Sequence, residues 1–357
     1  MSTIENAVKM MVASVSLSIK ATHWGAATAI AVLLPLAAAA EPITLKLAFF
    51  PSEYTEIYEA AIKPFVDRVN TEGKGVLVIK VYPDGALGKA VAKQPQMVLD
   101  DIAEIGWIIP GQTPYRFPDN QLLEMPGLFH DLREGTLAYT RLLAGNALRG
   151  YRDFFVIGAF MSAPTFVHSR KPISALADLK GQKIRANNQM EAEMLERLGA
   201  IPTVMPSVQV ATAVERGAID GAALSVAALV DFHVSQKAKN HYLLRGGSTP
   251  LLLLMNRKRF ESLPAPAQML IRKYSGEPAA AAWIESFGDA EREQLDKIRA
   301  DPERKVVVPS PSDWDSARQI YQSMIDAWAA KSAHNRALLA RVRTEIAGLR
   351  KAKEMRQ

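Results

Sequence analysis

The chain of 357 residues has no cysteine. That excludes a disulfide framework, a thiolate nucleophile, a cysteine-ligated metal and lipid attachment at an N-terminal cysteine. Histidine is scarce as well. His23, His130, His168, His233, His241 and His334 fall at no H-E-x-x-H or paired-ligand spacing, so the residues offer no metal site. The glycines build no phosphate cradle. GKGVLV (73–78) lacks a third glycine and precedes a strand, while GALGKA (85–90) lacks the spacing and the hydroxyl residue of a phosphate loop. Gly247-Ser248 lies in no G-x-S-x-G. No cofactor and no enzyme chemistry follow from these patterns. Charge of one sign is also missing. The formal net charge is +6, and the cations are scattered among acids without an aromatic-interleaved basic stripe, so no nucleic-acid partner is expected.

Long hydrophobic runs are absent too. WGAATAIAVLLPL (24–36) is uncharged and apolar over 13 residues, short of the ~20 that span a bilayer as a helix. Lys9 and Lys20 precede it and AAAA (37–40) follows, which reads as a secretory signal over residues 1–40, cleaved near Ala40. The stretch before Trp24 is long for the basic region of such a signal and points to initiation at Met10 or Met11.

What remains suits two domains of α/β type. ITLKLAFF (43–50) alternates as a strand, Ile57, Ala61, Phe65 and Val69 recur at helical spacing with a kink expected at Pro64, and VLVIKVYP (76–83) is a second strand. A helix over about 89–100 and the strand IAEIGWII (102–109) continue a β-α-β-α-β order, which implies a parallel sheet. Further strands are read at 154–161, 165–169, 183–187, 218–225, 251–256 and 305–309, with a long helical pattern over about 265–299. Ser207 is read as the cap of a short helix ending at Gly217, and 336–356 as a solvated basic helix face.

In such folds ligands sit in the crevice outside the carboxyl ends of strands. Arg185, in GQKIRANN (181–188), is placed there. A permanent cation in a cleft without acid–base machinery reads as an anion-binding site, the alternative being a structural ion pair with a nearby acid.

Several stretches, in order, resemble the periplasmic solute-binding subunits of TRAP transporters, the DctP family. DLKGQKIRANN (178–188) is similar to the D-L-K-G-x-K-I-R signature, ERLGAIPTVMP (196–206) to L-G-A-x-P-x-x-M-P, and ERGAIDGA (215–222) to G-x-x-D-G. VYPDGALG (81–88), FPDNQLLEMPGLF (117–129) and LLLLMNRKRFESLP (251–264) match other recurrent pieces, so the resemblance runs from about Leu45 to Trp328.

The resemblance implies a two-domain periplasmic binding protein (type II-like), with hinged lobes and a long helix linking them. Domain I would take 41–162 plus about 250–290, domain II 163–249 plus about 291–335, with a C-terminal helix over 336–357. It implies a monomer that captures an organic acid, with Arg185 forming a bidentate bridge to the carboxylate, and docks onto TRAP membrane permease subunits. A receptor for a sensor kinase and a lyase or dehydratase on the same scaffold are the alternatives. Sialate-type members carry a second arginine where Thr165 stands and an asparagine where Leu224 stands, and many members have an aromatic where Ser207 stands. These departures point to a monocarboxylate with an apolar, aromatic, branched or 2-oxo tail. Lactate-type members hold calcium with a glutamate–tryptophan pair, replaced here by Ala223 and Leu224, so no metal is expected. Trp107 and Tyr54, beside strand ends, are expected to face the crevice or pack at a domain edge, and Phe232 to cover the ligand or lie on a buried helix face. Asn187 is expected to cap the following helix, with donation to the ligand as the other reading.

Overall fold

A run of buried apolar side chains flanked by polar turns marks most of the strands. The structure, a computed structural model, describes residues 41–355, so the leader read at 1–40 lies outside the described residues. In chain order the strands are β1 (Ile43–Ala48), β2 (Leu77–Tyr82), β3 (Ile105–Ile108), β4 (Phe154–Met161), β5 (Phe166–Ser169), β6 (Lys183–Ala186), β7 (Ile201–Val204), β8 (Gly221–Leu224), β9 (Asn240–Tyr242), β10 (Pro250–Asn256) and β11 (Lys305–Val307). They form two sheets, one ordered β2-β1-β3-β10-β4 and the other β11-β9-β5-β8-β6-β7.

The expected parallel sheet is mixed in both cases. β1 runs parallel to β2 and β3, but β10 returns antiparallel between β3 and β4, pairing Leu253 with Trp107. In the second sheet β6 is parallel to β7 and β8, while β5 is antiparallel to β8 and β9. The cause is chain crossing. The chain leaves the first sheet after β4, builds most of the second, and re-enters as β10 from the opposite end.

The helices are α1 (Lys63–Glu72), α2 (Gln94–Leu99), α3 (Asn120–Leu123), α4 (Leu132–Ala144), α5 (Gln189–Arg197), α6 (Val210–Glu215), α7 (Val226–Asp231), α8 (Arg257–Glu261), α9 (Ala265–Lys273), α10 (Glu277–Ala300), α11 (Pro311–Ala330) and α12 (Ala333–Glu354). At Pro64, read as a kink, a π-helical turn (Tyr58–Ile62) leads into α1, and Lys63 N donates to Tyr58 O. Proline has no N–H for the carbonyl four residues back, so the wider turn takes up the mismatch. Ser207 does not cap α6, whose N-cap is Gln209.

α10 serves both sheets. Trp283 and Phe287 pack in the cluster over the first sheet with Phe160, Leu253 and Trp107, whereas Ile298 packs with Leu224 and Val234 by the second. Two extended segments also pass between the sheets, and they pair with each other. Ser162 N donates to Thr249 O at 2.9 Å, Thr165 N to Gly247 O at 2.8 Å and Gly246 N to Thr165 O at 2.8 Å. The paired crossings form the back wall of the cleft.

Candidate functional site

The signature around Arg185 is first of all a device for holding β6 still. Asp178 Oδ2 accepts from Ser174 N at 2.7 Å and Ala175 N at 3.1 Å, fixing the turn before the strand. Gly181 sits at φ +74°, a left-handed conformation that disfavours side chains, and its N–H meets Gly199 O. Asp220 Oδ2 accepts from Lys183 N at 2.9 Å while Oδ1 meets Lys171 Nζ at 2.9 Å, tying the turn before β8 to the start of β6. Arg185 then lies opposite Thr203 and Ala222 with its side chain 1% exposed.

Its guanidinium is held by neutral oxygens. Nε donates to Met205 O at 2.8 Å, Nη1 to Ala223 O at 3.2 Å, and Nη2 to Asn187 Oδ1 at 2.7 Å and Ser207 Oγ at 2.9 Å. No carboxylate among the described residues forms a salt bridge with it. Of its five N–H groups one, on Nη1, is left without an acceptor among the described residues. Burial lowers its pKa to about 10, with Glu191 opposing the shift, so the group stays cationic at neutral pH. The structural ion pair is therefore not what Arg185 makes. Glu191 acts on it only through space, and a buried cation with no direct carboxylate contact among the described residues is costly until an anion arrives.

The helix that follows is capped by Asn188, not Asn187. Asn188 Oδ1 accepts from Glu191 N at 2.8 Å, which frees the Asn187 amide to orient Arg185. The neighbouring position wins because the first helical residue is Gln189, so Asn188 is the one with an extended backbone at the cap. Glu191 turns back, accepting from Asn187 N at 2.7 Å and from Thr165 Oγ1 at 2.8 Å. Its carboxylate is thus occupied, and burial raises its pKa against the pull of Arg185.

Arg185, Asn187, Thr165, Leu224, Phe232 and Trp107 line one cavity between the sheets. Trp107 is fully buried and Leu224 is 3% exposed, while Phe232 closes the cavity at the C-terminal end of α7. Tyr54 is not there. It is 89% exposed, in the loop beyond β1, and Phe50 and Pro51 take the wall it was expected to form. The strand ends at Ala48, so the chain has already turned outward by residue 54.

Ser207, noted for replacing an aromatic of the family, is in the lining, and so are Gln112, Ser162, Thr249 and Phe287, which were not among the expected residues. Ser162 and Thr249 lie on the paired crossings, and Gln112 Nε2 donates to Asn187 O. No sequence signal marked Phe287, on α10. The polar groups cluster around Arg185 and the crossings. Ile57, Val91, Ile109, Leu251, Phe50 and Phe287 make the rest of the wall apolar.

Besides Glu191, two more buried acids flank this region without lining it. Glu124, at the end of α3, is pushed up to about 8 by burial and then by Glu191, and its Oε1 has no partner among the described residues. Asp231, at the end of α7, accepts from Glu56 N at 2.9 Å, joining α7 to the segment before the π-helical turn. Burial raises its pKa to about 7. The sequence shows no acid or base beside Arg185. In three dimensions three acids, Glu191, Glu124 and Asp231, are near, yet none of them lines the cavity.

Among the described residues no cluster of histidine and acid side chains could hold a metal, and no helix is long and apolar enough to cross a membrane. The model of the bacterial extracellular solute-binding proteins, family 7 (DctP), matches residues 48–332. A solute-binding protein of Roseobacter denitrificans is 28% identical over 205 residues, covering 55% of this chain and 61% of that protein. The 2,3-diketo-L-gulonate-binding periplasmic protein YiaO of Escherichia coli is 26% identical over 242 residues, covering 62% of this chain and 69% of that protein. Among solved structures, a marine-metagenome TRAP solute-binding protein specific for aromatic acid ligands, in complex with metahydroxyphenylacetate, superposes with a TM-score of 0.78 at 25% identity, covering 86% of this chain and 99% of that one. A Rhodoferax ferrireducens TRAP solute-binding protein with copurified benzoate has the same fold, with a TM-score of 0.77 at 24% identity, covering 87% and 99%.

Proposed function

This chain belongs to the bacterial extracellular solute-binding proteins of family 7, and from that premise we propose that it captures an organic monocarboxylate with an apolar tail in the periplasm and delivers it to a TRAP membrane permease. The observation that carries the reading is Arg185, a buried cation with no carboxylate bonded to it among the described residues, lining a cavity whose remaining wall is largely apolar. The ligand carboxylate supplies the missing charge. It takes the free Nη1 N–H and competes with Ser207 Oγ and Asn187 Oδ1 for Nη2, which makes a charge-assisted fork while the bonds to Met205 O and Ala223 O remain.

The tail is read from the wall. Leu224 stands on the cavity with no side-chain polar atom for a sugar hydroxyl, and Thr165 gives its one proton to Glu191. Each ligand hydroxyl buried unpaired against such a wall costs roughly 1–3 kcal/mol, and an apolar ring there gains from leaving water. The aromatic acids bound by the marine-metagenome relative agree with this chemistry.

The test is calorimetry with phenylacetate, benzoate and galacturonate on wild type and Arg185→Ala. The aromatic acids should bind at least tenfold more tightly than galacturonate. Arg185→Ala should cost about 2–5 kcal/mol of binding, and Arg185→Lys should recover only part of it. Arg185→Ala within threefold of wild type for every acid tested would overturn the assignment.

A further inference from the structure

The apolar wall contains one polar atom with nothing to bind. Trp107 is fully buried and lines the cavity, and its indole Nε1 has no acceptor among the described residues. An indole N–H can only donate, and buried donors in native proteins almost always find an acceptor. Trp283 shows the usual outcome in the same aromatic cluster. Its ring centroid is 6.3 Å from that of Trp107, and its Nε1 donates to Met161 O at 2.9 Å. The Trp107 ring is fixed by Phe160, stacked at 5.8 Å, and by the edge contact with Phe49 at 6.1 Å. The donor is thus positioned and unspent.

Trp107 stands on β3 of the first sheet and Arg185 on β6 of the second, so the two face the cavity from opposite sides. We propose that the ligand is a monocarboxylate whose apolar body carries a neutral hydrogen-bond acceptor, a hydroxyl, ether or carbonyl oxygen, remote from the carboxylate, and that Trp107 Nε1 is the donor that selects it. The inference rests on Arg185 as the carboxylate site. The acceptor is neutral because Arg185 is the one cation among the lining residues, and a second carboxylate at the indole would be buried without a counter-charge. It is an acceptor and not a donor because an indole N–H cannot accept.

The experiment compares phenylacetates substituted at the 3- or 4-position by hydroxyl, methoxy or methyl, titrated into wild type and Trp107→Phe. Wild type should bind an oxygen-bearing acid at least tenfold more tightly than its methyl counterpart, and in Trp107→Phe the ratio should fall below three. A direct readout uses wild type alone. With 15N-labelled tryptophan, the Trp107 indole N–H resonance should move downfield on adding the oxygen-bearing acid and stay with the methyl acid. Methyl acids binding as tightly as their oxygen counterparts, a preference surviving in Trp107→Phe, or an unmoved indole resonance would each overturn the proposal. If the acids bind in an Arg185-dependent way without the preference, only the Trp107 assignment falls. If no acid binds wild type, the carboxylate reading falls with it.

Discussion

Replacing Glu124 by glutamine should flatten the pH dependence of stability. Glu124 is enclosed where the end of α3 meets Gly111, the backbone at Gly247 and the Glu191 end of α5. Burial and the Glu191 charge raise its pKa from 4.5 to about 8. A group whose folded pKa is raised contributes fully below its unfolded value, and that contribution is lost as pH climbs to the folded value. Each pH unit in that window costs about 1.4 kcal/mol per proton, so wild type should lose on the order of 5 kcal/mol between pH 4.5 and pH 8 from this group. Glutamine keeps the shape and carries no proton to lose. Asp231 and Glu291, both raised to about 7 by burial, slope the same way, so only the difference between variant and wild type isolates Glu124. Urea unfolding at pH 5, 6.5 and 8 gives that difference. It should favour Glu124→Gln increasingly with pH, by roughly one proton's slope. A difference that is flat across the three values would show that Glu124 is already ionised in the fold and that the reasoning is wrong.

Other expectations follow from single contacts. Asp231→Ala leaves Glu56 N without its acceptor, and a loss of about 1 kcal/mol in denaturant unfolding should result, since a half-buried donor loses its partner. Gly111→Ala places a Cβ against Glu124 Oε1, so a drop of about 1–3 kcal/mol is expected for overpacking, read as a lowered melting midpoint. His168 and His241 share a buried contact of 2.8 Å between their Nδ1 atoms, and burial holds His241 near 4 and His168 well below 6.5. Depressed values on a base are lost as pH falls, so stability should decline between pH 6.5 and 4, and His241→Gln should soften that acid limb in melts at pH 4, 5 and 6.5.

The strands that were legible are the ones buried along their length, such as β10, whose LLLLM is apolar throughout. β7 and β9 left no such trace. β7 is an edge of four largely exposed residues containing Pro202, tolerated there because an edge strand can spare an N–H. β9 has three residues, two of them polar in type. Strand direction was not readable, because β10 joins β3 and β4 from a segment far along the chain, Leu253 pairing with both Trp107 and Gly158. Within the site, Arg185 and Asn187 were legible because they are adjacent in sequence and at a strand end. Gln112 and Glu124 were not, since their surroundings are made by segments 60 or more residues distant. Tyr54 failed for a local reason, the early end of β1.

α10 is a single unbroken helix of 24 residues, about 36 Å long at the usual rise. Its first half is embedded with the first sheet through Trp283 and its last turn with the second through Ile298, while Glu291 between them takes the N–H groups of Val226 and Ala227 at 2.8 Å each. Such a strut cannot let its two ends rotate freely. Opening the cleft must bend it, or slide one packed face along its neighbour, and both resist in proportion to angle. Phe287 makes the middle of that beam part of the cavity wall. A molecule entering the cavity therefore loads the spring that sets the angle between the sheets, and a larger ring should leave the protein resting at a wider aperture than a smaller one.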